Sequence, residues 1–125
     1  MAERRKHPRF RAREHTFAAL HNDCTRIGKL KNISSGGLAF EYTPIDDSTC
    51  NGFCVDIFAA HSEFRLSNVP CRTVYDIALP RHETDGTFSP TFLSRQCGLQ
   101  FGELTETETE QLRFFLKTYT HGYDR

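Results

Sequence analysis

Apolar and polar residues alternate with a period of two in a series of short segments along this 125-residue chain, the mark of strands with one buried face. Thr16–His21 and residues 24–31 are two such runs, parted by Asn22-Asp23, a tight-turn pair. Gly37–Tyr42 sets Leu38, Phe40 and Tyr42 against Ala39 and Glu41, and residues 52–59 set Phe53, Val55 and Ile57 against Cys54 and Asp56. A short strand fits 63–67. Residues 69–79 place Val69, Cys71, Thr73, Tyr75, Ile77 and Leu79 on one face, and residues 91–101 do the same with Leu93, Cys97, Leu99 and Phe101, interrupted by Arg95. The polar segments 43–51 and 80–89 read as loops.

The period then changes to that of a helix. Thr105-Glu106-Thr107-Glu108 is a capping box, in which Thr105 accepts from the Glu108 N–H and the Glu108 side chain reaches back. Glu106, Glu108 and Glu110 suit the positive end of the helix dipole. Leu112, Phe115, Leu116 and Tyr119 follow as one apolar stripe. Six or seven short strands and one helix in a single small domain imply an all-β fold: a closed or nearly closed antiparallel barrel with a C-terminal α-helix laid against it. Residues 1–15 read as a flexible polar arm, 16–120 as the barrel and helix, and 121–125 as a tail.

Composition narrows the classes. With 38% hydrophobic and 26% charged residues the chain is an ordinary globular one rather than a disordered one. Net charge is zero but uneven: Arg4, Arg5, Lys6, Arg9, Arg11 and Arg13 crowd the start, while acids gather at Asp46-Asp47 and over 103–110. A local anion site is therefore a better inference than a DNA- or RNA-binding surface. There is no apolar run of bilayer-spanning length, and the charged start has no apolar signal core behind it. Five cysteines are an odd number for a disulfide framework. Together these features read as a protein of the reducing cytoplasm.

Two segments carry candidate chemistry. In Arg4-Arg5-Lys6-His7-Pro8-Arg9, proline bars a helix interior, so the arm is an extended or arched loop projecting arginines. A guanidinium fork grips guanine O6 and N7, or a phosphate, in pairs. In Asn32-Ile33-Ser34-Ser35-Gly36-Gly37, Asn32 and Ser34 point to one side of an extended segment. Gly36 and Gly37 permit positive φ and close backbone approach, and consecutive N–H groups there could form an anion nest. The pair of segments suggests a site for a small guanine nucleotide.

Arg5-x-x-x-Arg9 followed by Asn32-x-Ser34-x-x-Gly37 resembles the two-part signature of PilZ domains, bacterial receptors for cyclic di-GMP, and the run 97–104 resembles the end of that family's last barrel strand. The resemblance spans nearly the whole chain. It implies a six-stranded antiparallel barrel with the arginine arm packed across its ligand face. It further implies that Arg5 and Arg9 engage guanine and phosphate, that Asn32 and Ser34 hydrogen-bond a guanine, and that Gly37 leaves it room. Arg4 matches a position where arginine favours a stacked pair of ligands over one. Asn32 stands where the family more often has Asp.

Arg95 and Gly98 are secondary candidates; Arg95 reads either as a ligand contact or as a rim residue reaching water. The cysteines lack the spacing of zinc sites, so they read as small buried hydrophobes and no metal is expected. Asp46-Asp47 reads as a solvated loop. No nucleophile–base arrangement is present, so no catalytic residue is assigned and an enzyme is not expected. The expected function is a cyclic di-GMP receptor, needing no cofactor, that orders its arm on binding and signals through a protein partner; homodimerisation is left open. The alternatives are an interaction module of the same fold without ligand binding, and a small barrel for single-stranded nucleic acid, against which the inward placement of most aromatics counts.

Overall fold

A computed structural model describes residues 8–22, 24–44, 50–79 and 94–123. Arg4, Arg5, the Asp46-Asp47 loop, the 80–89 loop and the start of the 91–101 segment lie outside the described residues.

The strands are β1 (Phe10–Ala12), β2 (Thr16–His21), β3 (Arg26–Ile33), β4 (Gly37–Tyr42), β5 (Cys54–Ala59), β6 (Arg65–Ala78), β7 (Arg95–Phe101) and β8 (Thr120–Tyr123), with helix α1 (Glu106–Thr118) between the last two. Six of them form a closed antiparallel barrel in the order β2-β5-β6-β7-β4-β3, sealed by the β2–β3 pairing. Closure leaves the barrel with no free edge. Alternate residues fill its interior: Leu20, Leu30, Leu38, Phe40, Val55, Ile57, Val69, Cys97 and Leu99 are all essentially inaccessible to solvent.

The capping box forms as its sequence dictates, with Glu108 N–H donating to Thr105 Oγ1 at 3.1 Å and Thr105 N–H to Glu108 Oε1 at 2.9 Å. Leu112 and Phe115 are the buried part of the helical stripe, and Leu116 and Tyr119 pack partly buried beside them. Phe115 and Tyr119 also enclose Phe64, with ring centroids 5.2 and 5.7 Å from it. Burial of one such ring contributes about 1.5–3 kcal/mol.

Four features differ from the sequence reading. Regular structure begins inside the expected arm, at Phe10. Phe10–Ala12 is a strand, pairing with β3 on one edge and β8 on the other, and Arg13 N–H donates to the Tyr119 carbonyl at 2.9 Å. β8 likewise takes in most of the expected tail. These short strands carry little side-chain pattern; backbone pairing between distant segments and a Phe10–Tyr123 ring stack at 5.0 Å hold them. Second, the expected strands 63–67 and 69–79 are one 14-residue strand, β6. Asn68 takes a left-handed conformation (φ 57°) that asparagine tolerates, and its N–H donates to Asp56 Oδ1 at 2.9 Å, so the strand passes through what reads as a break.

Third, the β6–β7 register shifts between Thr73 and Tyr75. Val74 bulges out and is 57% exposed, and the residues beyond it change faces. Asp76 rather than Tyr75 then meets Tyr42, and Ile77 is exposed. Fourth, the cysteines are not all reduced. Cys24 and Cys50 form a disulfide across 26 positions, their Cα atoms 5.5 Å apart. The β2–β5 pairing, His21 opposite Cys54, carries the β2–β3 turn to the segment entering β5. One pair and three free thiols satisfy the odd count, which removes the cysteine argument for a reducing compartment.

Candidate functional site

The segment 32–37 turns sharply from β3 into β4, and its hydrogen bonds are mostly internal. Ser34 N–H donates to the Gly37 carbonyl at 2.8 Å, and Gly36 N–H donates to Ser34 Oγ at 3.0 Å. The Gly36 carbonyl accepts from Phe101 N–H at 2.9 Å, which ties the turn to the end of β7. Two expectations change. The Gly36 N–H is spent inside the turn and is not offered to an anion nest. Neither glycine adopts positive φ; among the described glycines only Gly122 does. Gly37 is required instead by close approach, since a Cβ there would lie 2.2 Å from the Leu99 carbonyl oxygen.

Arg9 reaches this turn because β1 runs beside the end of β3, Phe10 opposite Ile33 and Arg11 opposite Asn32. From there Arg9 Nη1 donates to Asn32 Oδ1 at 2.7 Å. Asn32 and Ser34 are both buried, so the two predicted side chains are part of the wall rather than projecting from it.

The turn overlooks a cleft of about 550 Å³, lined by Arg9, the 34–36 segment, Arg72, Tyr75, Gly98 and Gln100 among others. That volume suits an organic ligand of intermediate size. It lies on the outer face of the barrel, where β3, β4, β7 and β6 run side by side. Asn32 stands opposite Ala39, Ala39 opposite Gly98, and Gly98 opposite Tyr75. A parallel row runs from Gly37 through Gln100 to Arg72.

The structure therefore brings together Arg9, Asn32, Ser34, Gly36, Gly37 and Gly98. Arg4 and Arg5 lie outside the described residues. Arg95 is elsewhere: it pairs with Tyr42 across β4–β7, five residues along the strand from the Gly37–Gln100 pair, about 17 Å away. There Arg95 Nε donates to Asp76 Oδ1 at 2.8 Å and Nη2 to the Asp76 carbonyl at 2.9 Å, while Tyr42 Oη donates to Asp76 Oδ2 at 2.5 Å. Burial, reinforced by the Asp76 carboxylate, pushes the Tyr42 hydroxyl above its ordinary pKa. Arg95 closes that opposite end of the barrel as a partly exposed rim residue.

Arg72 and Tyr75 also line the cleft, and the sequence reading missed both. Period two assigned Tyr75 to the core, and only the bulge at Val74 turns it outward. Arg72 carries a signal in hindsight: it is an outward-facing cation on the strand paired with the Cys97-Gly98-Leu99 run.

No family model matches the sequence, and no curated protein matches it. Solved structures do match in fold. The PilZ domain of YcgR from Escherichia coli, determined with c-di-GMP, superposes with a TM-score of 0.71 at 13% identity, covering 94% of this chain and 92% of that one. MrkH, described as a c-di-GMP-dependent transcription regulatory factor, gives 0.68 at 15% identity. The K. pneumonia MrkH–c-di-GMP complex gives 0.67 at 17% identity over 94% of this chain. The chain spans about half the length of the MrkH chains, 51% and 52%. Its barrel and helix thus have the fold of the PilZ domain.

Proposed function

We propose that this chain is a PilZ-type receptor for cyclic di-GMP, acting by binding rather than by catalysis. The observation that carries the reading is the Arg9–Asn32 contact at the mouth of the cleft. It joins the second arginine of Arg5-x-x-x-Arg9 to the first residue of Asn32-x-Ser34-x-x-Gly37, on a fold shared with structures solved with that nucleotide. Chemistry supports it as well. Arg9 and Arg5 supply forks for guanine O6/N7 and phosphate, and Asn32 can both donate to and accept from a base edge. Arg4 supplies a further guanidinium for a second, stacked ligand.

Binding gives the highly charged residues ahead of Arg9 an anion to fold on, which their composition does not provide otherwise. The signal then passes through a partner surface altered when the arm docks. β1 offers a route for it, because its other edge is bonded to β8, directly after α1.

Isothermal calorimetry with cyclic di-GMP, cyclic di-AMP and GMP tests the reading. Cyclic di-GMP should bind, with two ligands per protomer in the wild type and a ratio falling towards one in Arg4→Leu. Cyclic di-AMP should bind far more weakly, because adenine N6 is a donor where guanine O6 accepts. Absence of cyclic di-GMP binding, or equal affinity for both dinucleotides, refutes it.

A further inference from the structure

Helix α1 buries one face against the barrel and leaves the other to solvent. On the solvent face stand Glu110, Arg113, Phe114 and Lys117, at the i, i+3, i+4, i+7 spacing of a single helical stripe, and all four are exposed. Phe114 is 53% exposed and fills nothing in the barrel core. Its ring is held from one side by Phe64, whose centroid is 6.0 Å away and whose plane is tilted by only 20°. The stripe also divides by charge. Glu106 and Glu110 come before Phe114, while Arg113 and Lys117 lie beside it and beyond it. None of these four charges makes an ion pair among the described residues.

Within one copy this pattern is unfavourable. Glu106 and Glu110 are four apart on the helix, and so are Arg113 and Lys117; like charges at that spacing repel. The helix dipole accounts for acids in the first turn and for Lys117 in the last. It does not account for two like-charged pairs set around an exposed ring. Turned about a two-fold axis, the stripe complements itself. With two helices antiparallel and the axis between Arg113 and Phe114, Glu110 of one copy faces Lys117 of the other, and Phe114 faces Arg113. Each contact occurs twice. The acidic half of each helix then lies over the basic half of the other, and a guanidinium meets the open side of each ring, a favourable contact. A pairing of this symmetric kind closes at two copies.

We propose that a second copy of this chain docks on the outward face of α1, forming an antiparallel two-fold dimer centred on Arg113 and Phe114. This goes beyond the receptor reading and does not depend on it, since α1 contributes no residue to the cleft. The helix has 13 residues and is about 20 Å long, so one helix pair covers less than the ~1,200 Å² of a standard interface. The dimer is therefore reversible and concentration-dependent. It presents two clefts on one particle, which raises avidity for a partner with paired sites.

Sedimentation of the full chain without nucleotide, from low micromolar to near-millimolar concentration, tests the dimer. The wild type should pass from monomer to dimer and no further. Glu110→Lys and Lys117→Glu should each weaken self-association by about ten-fold or more, because each sets like charges together at both symmetric contacts. Phe114→Ser should weaken it as well. An equimolar mixture of Glu110→Lys and Lys117→Glu restores both opposite-charge pairs in a heterodimer and should associate as the wild type does. The double variant should do the same. That recovery separates a lost contact from a misfolded chain, which mixing does not repair. A wild type that stays monomeric at every concentration overturns the proposal. A dimer indifferent to both charge reversals lies on another surface and overturns it equally, as does weakening with no recovery in the mixture. No nucleotide enters the experiment, so failure of cyclic di-GMP to bind in calorimetry would overturn the receptor reading and leave the dimer standing.

Discussion

Arg9 donates to Asn32, 23 positions along the chain, and the acceptor is a buried side chain at the bend between β3 and β4. The arm and the turn are therefore already joined without a nucleotide. Asparagine makes this a neutral-acceptor bond, weaker than the ion pair an aspartate would give. In the proposed site this bond would have to yield if Arg9 Nη1 is to reach a phosphate or a guanine edge.

Arg9→Ala should accordingly lose about 2–5 kcal/mol of cyclic di-GMP binding, while thermal stability without ligand falls by only about 1 kcal/mol. Arg5→Ala should show the same loss of binding with almost no change in stability. Calorimetry and thermal unfolding of each variant separate the two effects. Normal binding by either variant removes that arginine from the site.

The disulfide should dominate the response to reductant. Cys24 and Cys50 close a loop of 26 residues, for which chain entropy gives about 3–4 kcal/mol. Cys24→Ser, or reduction of the wild type, should lower the melting temperature by roughly 10 °C. Calorimetric scans with and without reductant report it. Identical scans would mean that the bond contributes nothing to stability.

Cys71 and Cys97 should be inert while the protein is folded. Burial, with the neighbouring thiols adding to it for Cys71 and Asp76 for Cys97, pushes each up to about 12. Almost no thiolate then exists at pH 8, and the thiolate is the species that reacts. Mass spectrometry after iodoacetamide treatment should find neither residue alkylated in buffer and both alkylated in denaturant. Rapid labelling of Cys97 in buffer would contradict its place in the core.

Asp56 should set an acid limit to stability. It faces outward on β5 yet is buried by its partners: Asn68 N–H and His21 Nε2 at 2.9 Å from Oδ1, and Arg65 Nη2 at 2.9 Å from Oδ2. Burial is the largest influence and pushes its pKa up, but the hydrogen bonds together outweigh it and leave the carboxyl below its ordinary value. A depressed folded pKa means stability that is fully present above the unfolded value, about 4, and is lost as pH falls through the folded value. Asp56→Asn should cost about 1.5–3 kcal/mol at pH 7, and the cost should shrink as pH drops below about 4. Denaturant titrations at pH 7 and pH 3 measure both. An undiminished difference at pH 3 would refute the linkage.

Sequence pattern made the barrel legible where both faces of a strand are specified. Gly37–Tyr42 matches β4 to the residue, because its inward and outward neighbours differ in kind and a one-residue slip would invert them. Helix α1 was legible from its capping box and its spacing. β1 was not, because Phe10-Arg11-Ala12 is too short to show a period, and its backbone pairing and its Phe10–Tyr123 ring stack both join it to segments distant in sequence. The disulfide depends on which strands become neighbours, which spacing alone does not reveal. In the site, motif order assigned Arg9 and Asn32 to one ligand but did not anticipate their direct bond, and Tyr75 was hidden by a single bulged residue that period-two reading cannot anticipate.

Hydrogen exchange tests the proposed switch, and the position of β1 refines what it should show. Phe10–Ala12 is paired on both edges and Arg13 is bonded to Tyr119, so these amides should exchange slowly even without nucleotide. The charged residues ahead of Arg9 include no apolar anchor beyond Met1 and Ala2, and they should exchange freely until cyclic di-GMP arrives. Ordering is then confined to the segment that carries Arg4 and Arg5. Because β1 is bonded to β8, and β8 follows α1 through Tyr119 and Thr120, the second change should be slower exchange in β8 and the last turn of α1. The barrel strand β5, which pairs only with β2 and β6, should not change. Protection that rises only at residues 34–37 would leave the arm out of the switch. Protection of residues ahead of Arg9 before any nucleotide is added would place the signal in the ligand's own exposed surface instead.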